Sequence, residues 1–131
     1  MTTVAERAWE HGGHPVHFAI RDASDYLIGC VAFSELAEGH SAEIGYWLGK
    51  PFWGQKLMTA AVGVACQFAI EKWKLVRISA PVFDGNLASA RVLEKCGFEF
   101  EGLMRGYFLK DGRFIDARLY SLLAEFLKPP F

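Results

Sequence analysis

An α/β fold, one mixed sheet flanked by helices, is what the 131-residue sequence predicts, and three observations predict it. Short strand-like runs bounded by turn formers stand at both ends of the chain. A strand, a helix and a second strand follow one another in its middle. Over residues 86–97 a polar turn, an amphipathic helix and a glycine stop succeed each other without interruption. With 52% hydrophobic residues the chain can bury one good core and is too short for two ordinary domains, so residues 1–131 read as a single domain.

The elements follow in order. Residues 18–20 and 26–33 are strand-like runs separated by Arg21, Asp22, Ser24 and Asp25, which predicts an antiparallel hairpin. Residues 43–48 form a third strand, stopped by Gly49 and by Pro51, which cannot continue a ladder. Thr59 is the expected cap of a helix in which Val62, Ala65, Cys66, Ala69 and Trp73 recur at helical spacing up to Lys74. A strand over 76–82 comes next, so the three elements predict a parallel crossover, with Pro81 at a strand end or bulge. Asn86 then caps a helix whose Leu87, Ala90 and Leu93 share an inward face, and Gly97 ends it in a left-handed residue. Runs at 98–100, 103–109 and 114–123 complete the sheet, the last two joined at Asp111-Gly112, a strong hairpin signal.

Composition narrows the function. A formal charge of −1 supplies no basic field, so neither nucleic acid nor an anionic membrane surface is an expected partner. The apolar run at 57–70, interrupted by Thr59 and Gln67, falls short of the roughly 20 residues that cross a bilayer. Residues 1–7 carry no apolar block of a secretory signal, and a cytoplasmic location is the expectation. Cys30, Cys66 and Cys96 are odd in number and sit among apolar neighbours, which predicts buried thiols rather than disulfides or a zinc site. His11, His14 and His17 recur evenly, but Pro15 and two glycines break any helix that would align them, and no metal is expected. Trp9, Trp47, Trp53 and Trp73 read as core or pocket wall in the absence of a basic groove.

Two loops, 50–58 and 83–89, leave the carboxyl ends of central strands, where ligands of such sheets bind. The first leads into a helix through Trp53, Gly54, Gln55, Lys56, Leu57, Met58 and Thr59. Outward N–H groups and a favourable dipole at a helix N-terminus suit a phosphate.

The stretch Asn86-Leu-Ala-Ser89-Ala-Arg91-Val-Leu-Glu94-Lys95-Cys96-Gly97-Phe98, following a strand, resembles the acetyl-coenzyme A binding element of the GNAT acetyltransferases. Ala42-Glu43-Ile44-Gly45-Tyr46-Trp47-Leu48 upstream, and Gly112-Arg113-Phe114-Ile115-Asp116 with Leu119-Tyr120-Ser121-Leu122 downstream, are similar to the branch containing the ribosomal-protein N-terminal acetyltransferases. The resemblance covers nearly the whole chain from about Phe18. It implies a GNAT-like (acyl-CoA N-acyltransferase) fold with acetyl-CoA as cosubstrate and no metal. It also implies direct acetyl transfer, in a ternary complex, to a primary amine on a small molecule or a peptide N-terminus.

The resemblance implies roles for residues as well. The loop from Trp53 to Thr59 would hold the pyrophosphate. Asn86 and backbone groups near Trp47, Leu48 and Gly49 would hold the pantetheine arm as an added strand, and Ser89 would contact that arm or the departing sulfur. Glu43 is the first candidate base, Ser89 the candidate acid, with Tyr107 or Tyr120 able to take the acid's place. Asp116 would position Arg113 or help line the acceptor pocket. Apart from the resemblance, Asn86 reads as a plain N-cap, Ser89 as a solvent-facing serine and Glu43 as a strand-edge carboxylate.

The chain departs from the family pattern twice. Lys56 and Met58 stand where the family usually has small residues: either they block the phosphates, or Lys56 contacts one as a point charge. The blocked case gives the alternative function, a non-catalytic GNAT-fold module for binding or assembly. The usual first strand and helices are also expected to be lacking, since only seventeen residues precede Phe18. Either a second copy covers the exposed edge, making a homodimer, or the acceptor side stays open.

Overall fold

The computed structural model describes the backbone of residues 3–7 and the whole of residues 16–54 and 56–128. Along the chain run β1 (Thr3–Arg7), β2 (Val16–Arg21), β3 (Leu27–Ala37), β4 (Ser41–Leu48), α1 (Leu57–Trp73), β5 (Arg77–Phe83), α2 (Leu87–Cys96), β6 (Glu99–Lys110) and β7 (Arg113–Leu123). The strands form one sheet in the order β1-β2-β3-β4-β5-β7-β6. Only the central β4–β5 pair is parallel; the other five neighbours are antiparallel. The mixed sheet and its crossover are those the sequence predicts.

Several boundaries differ. A strand, β1, precedes the point where the sequence analysis began the sheet, pairing Val4 with Ile20 and so satisfying backbone groups of β2 that would otherwise face an edge. The runs at 98–100 and 103–109 are one strand, β6, interrupted by register shifts at 100/102 and 104/108. Helix α1 starts two residues ahead of the expected Thr59 cap. The chain turns at Lys56, which adopts a left-handed conformation (φ 62°) and caps with backbone only.

Both helices pack on one face. Helix α1 buries Met58, Ala61, Val62, Ala65, Cys66, Ala69 and Trp73, small residues along most of its length that let it lie close to the sheet. Edge-to-face contacts of Phe18 with Phe33 and Phe68, and of Trp73 with both Phe33 and Phe68, lock α1 over β2 and β3. Helix α2 buries Ala90, Leu93 and Cys96. Leu87, expected on that inward face, is instead 74% exposed. The Cys96 thiol donates to the Thr59 carbonyl at 3.4 Å and joins the two helices.

The C-cap of α1, Lys74, is left-handed (φ 51°, ψ 46°). Glycine adopts that conformation without the steric penalty of a Cβ, so Lys74→Gly is expected to stabilise by about 0.5–1 kcal/mol. A fall in the chemical denaturation midpoint at unchanged m-value would contradict this. Among the described residues, no helix is long and apolar enough to cross a membrane.

Candidate functional site

The β4–β5 ladder is short. It pairs Ser41 with Arg77, Ala42 with Ile78 and Glu43 with Ser79, then stops, although both strands continue. Proline explains where. The bonds Asp84 N to Asp116 O and Ala124 N to Val76 O fix the alternation of β5, so even-numbered residues turn their peptide groups to β7 and odd-numbered ones to β4. Pro81 is therefore the residue that should donate to β4 next, and it has no N–H. The sequence analysis put Pro81 at a strand end or bulge. It lies inside β5, and the parallel ladder ends beside it.

Beyond Glu43 the two strands part around a cleft of about 240 Å³, lined by Ile44, Tyr46, Pro81, Val82, Asn86 and Ser89 among others. The bond from Gly49 N to Ile28 O (2.7 Å) sets the alternation on the other wall. Gly45, Trp47 and Gly49 turn their peptide groups to β3, while those of Tyr46 and Leu48 face the cleft. Of the three backbone positions proposed from the resemblance, Leu48 is thus on the cleft edge, whereas Trp47 and Gly49 are engaged with β3. The sequence analysis missed Tyr46, whose alternation with Ile44 could have signalled it. The Leu48 carbonyl also accepts the Trp53 indole N–H at 2.7 Å. Trp47 and Trp53, expected as core or pocket wall, are 52% and 62% exposed, while Trp73 is buried.

The loop into α1 contains two left-handed residues, Gly54 (φ 78°) and Lys56 (φ 62°). Among the described residues no side chain caps α1, whose N-cap is Lys56, and no acidic residue stands in its first turn, so the orphan N–H groups form a positive terminus. Met58, one of the two suspected obstructions, is 7% exposed and points into the core. Lys56 has an exposed side chain. Gln55 lies outside the described residues.

Across the cleft, Asn86 caps α2 by accepting the Ser89 N–H at 3.2 Å, which leaves its amide nitrogen as the outward donor. The Tyr46 hydroxyl donates to the Ser89 carbonyl at 3.1 Å and lies 2.6 Å from Ser89 Oγ. Burial pushes the Tyr46 phenol far above its ordinary range, outweighing the hydrogen bond to Ser89, so it stays protonated. Ser89 is therefore a side chain held from beneath, not merely a solvent-facing helical serine.

Glu43, at the last paired position before the strands part, alternates with the inward Ala42 and Ile44 and so lies on the opposite face of the sheet from Ser89. Its Oε1 accepts the Tyr107 hydroxyl at 3.0 Å. Ser89 thus lines the cleft, while Glu43 stands at the last pair before it, on the other face of the sheet. Tyr120 is buried, its ring packed against Phe100 at 5.7 Å. Burial raises all three thiols, Cys96 to about 11, which removes them as nucleophiles at neutral pH. Cys66 and Cys96 are buried as expected; Cys30 is half-buried. Among the described residues no cluster of three His, Cys, Asp or Glu side chains could hold a metal; Trp9, His11 and His14 lie outside them.

Comparison with known proteins agrees with this geometry. The acetyltransferase (GNAT) domain family matches over residues 1–99. "Probable N-acetyltransferase YjcK" of Bacillus subtilis (strain 168) is 41% identical over 110 residues, 82% of this chain and 61% of that protein. The crystal structure of ribosomal-protein-S5-alanine acetyltransferase from Vibrio fischeri superposes with a TM-score of 0.81 at 30% identity, covering 88% of this chain and 64% of the other. Mycobacterium smegmatis RimJ in complex with CoA-disulfide superposes with a TM-score of 0.78 at 31% identity, covering 88% and 55%. The chain spans about three fifths of the length of the first curated relatives it matches. With the parted parallel strands, the open helix terminus and these matches together, the chain belongs to the GNAT acetyltransferase family.

Proposed function

We propose that the site transfers the acetyl group of acetyl-CoA to a primary amine on a small molecule or a peptide N-terminus. The observation that carries this reading is the cleft that opens between β4 and β5 beyond Glu43, lined by Tyr46, Asn86 and Ser89. The residues present fit the cosubstrate. The left-handed backbone at Gly54 and Lys56 and the inward Met58 leave the N-terminus of α1 open for a pyrophosphate. The cleft-facing peptide groups of Tyr46 and Leu48, with the Asn86 amide, suit the amides of a pantetheine arm. The CoA complex of the RimJ relative supports the same ligand class, and the S5-alanine acetyltransferase supports an amine acceptor.

When bound, acetyl-CoA supplies an acetyl thioester. Glu43 accepts a proton from the acceptor ammonium, so that the neutral nitrogen forms the new C–N bond as the C–S bond breaks. Ser89, its hydroxyl held by Tyr46, is the assigned proton donor to the departing sulfur, and the second proton that the nitrogen sheds as the amide forms restores the serine hydroxyl. No covalent intermediate with the protein is needed.

Thermal unfolding with and without acetyl-CoA tests the first half of the reading. Ligand at about 100 times its dissociation constant stabilises by roughly 2.7 kcal/mol, a rise of several degrees in Tm. An acetyl-transfer assay over amine and peptide panels tests the second half. No shift in the wild-type chain but recovery in Lys56→Gly would mean that Lys56 blocks the loop, and the non-catalytic binding module would replace the enzyme.

A further inference from the structure

We infer that Asp116 is a positioning residue for the base, acting through a bulge in β6 that presents Tyr107 to Glu43; this rests on the acetyl-transfer reading above. Three residues of β6, Arg105, Gly106 and Tyr107, stand opposite the single residue Asp116 of β7, between the pairs Met104–Ala117 and Phe108–Ile115. Gly106 adopts φ 62°, a conformation that favours glycine, and its N–H has lost its ladder partner to the bulge. The Asp116 carboxylate supplies the replacement, Oδ1 accepting the Gly106 N–H at 2.8 Å. A charged acceptor makes the stronger kind of hydrogen bond and holds the bulge in one shape.

The next residue is Tyr107. From the bulge its hydroxyl reaches across β7 and β5 to donate to Glu43 Oε1 at 3.0 Å. The two extra residues leave the alternation in phase on either side, so the bulge sets where Tyr107 stands along and above β6 rather than which face it belongs to. With Oε1 engaged, Oε2 is the oxygen left to take the ammonium proton, so the contact orients the base without consuming it. Phe108, following the bulge, packs at a tilt on Phe83 with centroids 4.4 Å apart and braces the strand. The Asp116 backbone carbonyl meanwhile accepts the Asp84 N–H at 2.9 Å, in the loop that leads to Asn86. One residue of β7 thus ties together the supports of both cleft walls. The sequence analysis gave Asp116 the positioning of Arg113 or a place in the acceptor pocket; its carboxylate is engaged with the Gly106 N–H.

Two readouts on the 131-residue chain test this. In acetyl transfer, Tyr107→Phe and Asp116→Ala should each lower kcat about tenfold while KM for acetyl-CoA stays within about twofold, since a misplaced base slows chemistry rather than binding. The double variant should be no worse than either single one. Asp116→Asn, which keeps an acceptor oxygen for Gly106, should restore most of the kcat. Additive losses, or no rescue by asparagine, would overturn the proposal.

The second readout needs no activity. Burial, the Glu43 hydrogen bond and the charges of Glu43 on β4 and Glu35 on β3 hold the Tyr107 phenol above its ordinary range. In tyrosine-labelled NMR titrations, Glu43→Gln and Asp116→Ala should each bring the Tyr107 titration down, and Asp116→Asn should not. An unchanged Tyr107 in folded Asp116→Ala would refute the positioning role. A wild-type chain without acetyl transfer would defeat the proposed function, while the titration still decides whether Asp116 places Tyr107.

Discussion

Glu43→Gln is expected to lower kcat for acetyl transfer by about 10²–10³-fold, the contribution of a positioned general base. The amide is nearly isosteric and can still accept the Tyr107 hydroxyl, so the geometry survives while the proton acceptor is lost. Because Glu43 lies at the foot of the cleft and far along β4 from the N-terminus of α1, the Tm rise with acetyl-CoA should remain that of the wild type. Steady-state kinetics beside thermal shift measures both quantities. A loss of acetyl-CoA binding in step with kcat would show that Glu43 belongs to the cosubstrate site, and a kcat within threefold of wild type would remove it as the base.

The largest stability effect should come from Gly97→Ala. Gly97 ends α2 with φ 104°, where a side chain is strained, and a Cβ there would overlap the Phe126 carbonyl oxygen. The clash is with backbone that cannot swing aside, because the segment carrying Phe126 is fastened by Lys128 N to Cys96 O at 3.0 Å. Conformational strain and the overlap together should cost on the order of 3 kcal/mol, about 10 °C in Tm for a chain of this size. Gly85→Ala is the comparison. It shares a positive φ (91°), but its Cβ would meet nothing within 4 Å, so about 1 kcal/mol is expected. Equal losses in the two variants would show that the overlap relaxes freely.

Much of this architecture is legible in the sequence because it follows from local rules. Asn86 and Gly97 bracket α2 as their chemistry demands, and Asp111-Gly112 turns the last hairpin, with Gly112 at φ 74°. The strand–helix–strand order in the middle of the chain dictates a parallel pair, and β4–β5 is that pair. Leu87 and Thr59 show where local rules stop: whether a position on an amphipathic helix meets core or water, and which residue leaves the helical path, depend on what lies beneath it.

The candidate site divides along the same line. Asn86, Ser89 and Glu43 were identifiable from motif resemblance, each at a position the motif names. Tyr46 beneath Ser89 and Tyr107 upon Glu43 were not, since each contact joins residues far apart in the chain, 43 and 64 positions respectively. Met58 changed meaning for a related reason. As a residue type it looked like an obstruction, but side-chain direction belongs to the helix, and the helix turns it inward.

The sequence by itself determined the order of strands and helices from β2 onward and the residue types proposed to bind a thioester cosubstrate and move a proton; β1 and the continuity of β6 it did not. The tertiary structure alone decided which edge of each strand stays free, where Pro81 ends the ladder, and which hydroxyls hold Ser89 and Glu43. Those features arise from pairing between distant strands, and alternation along a strand assigns a direction to each group only when a neighbouring strand fixes the register.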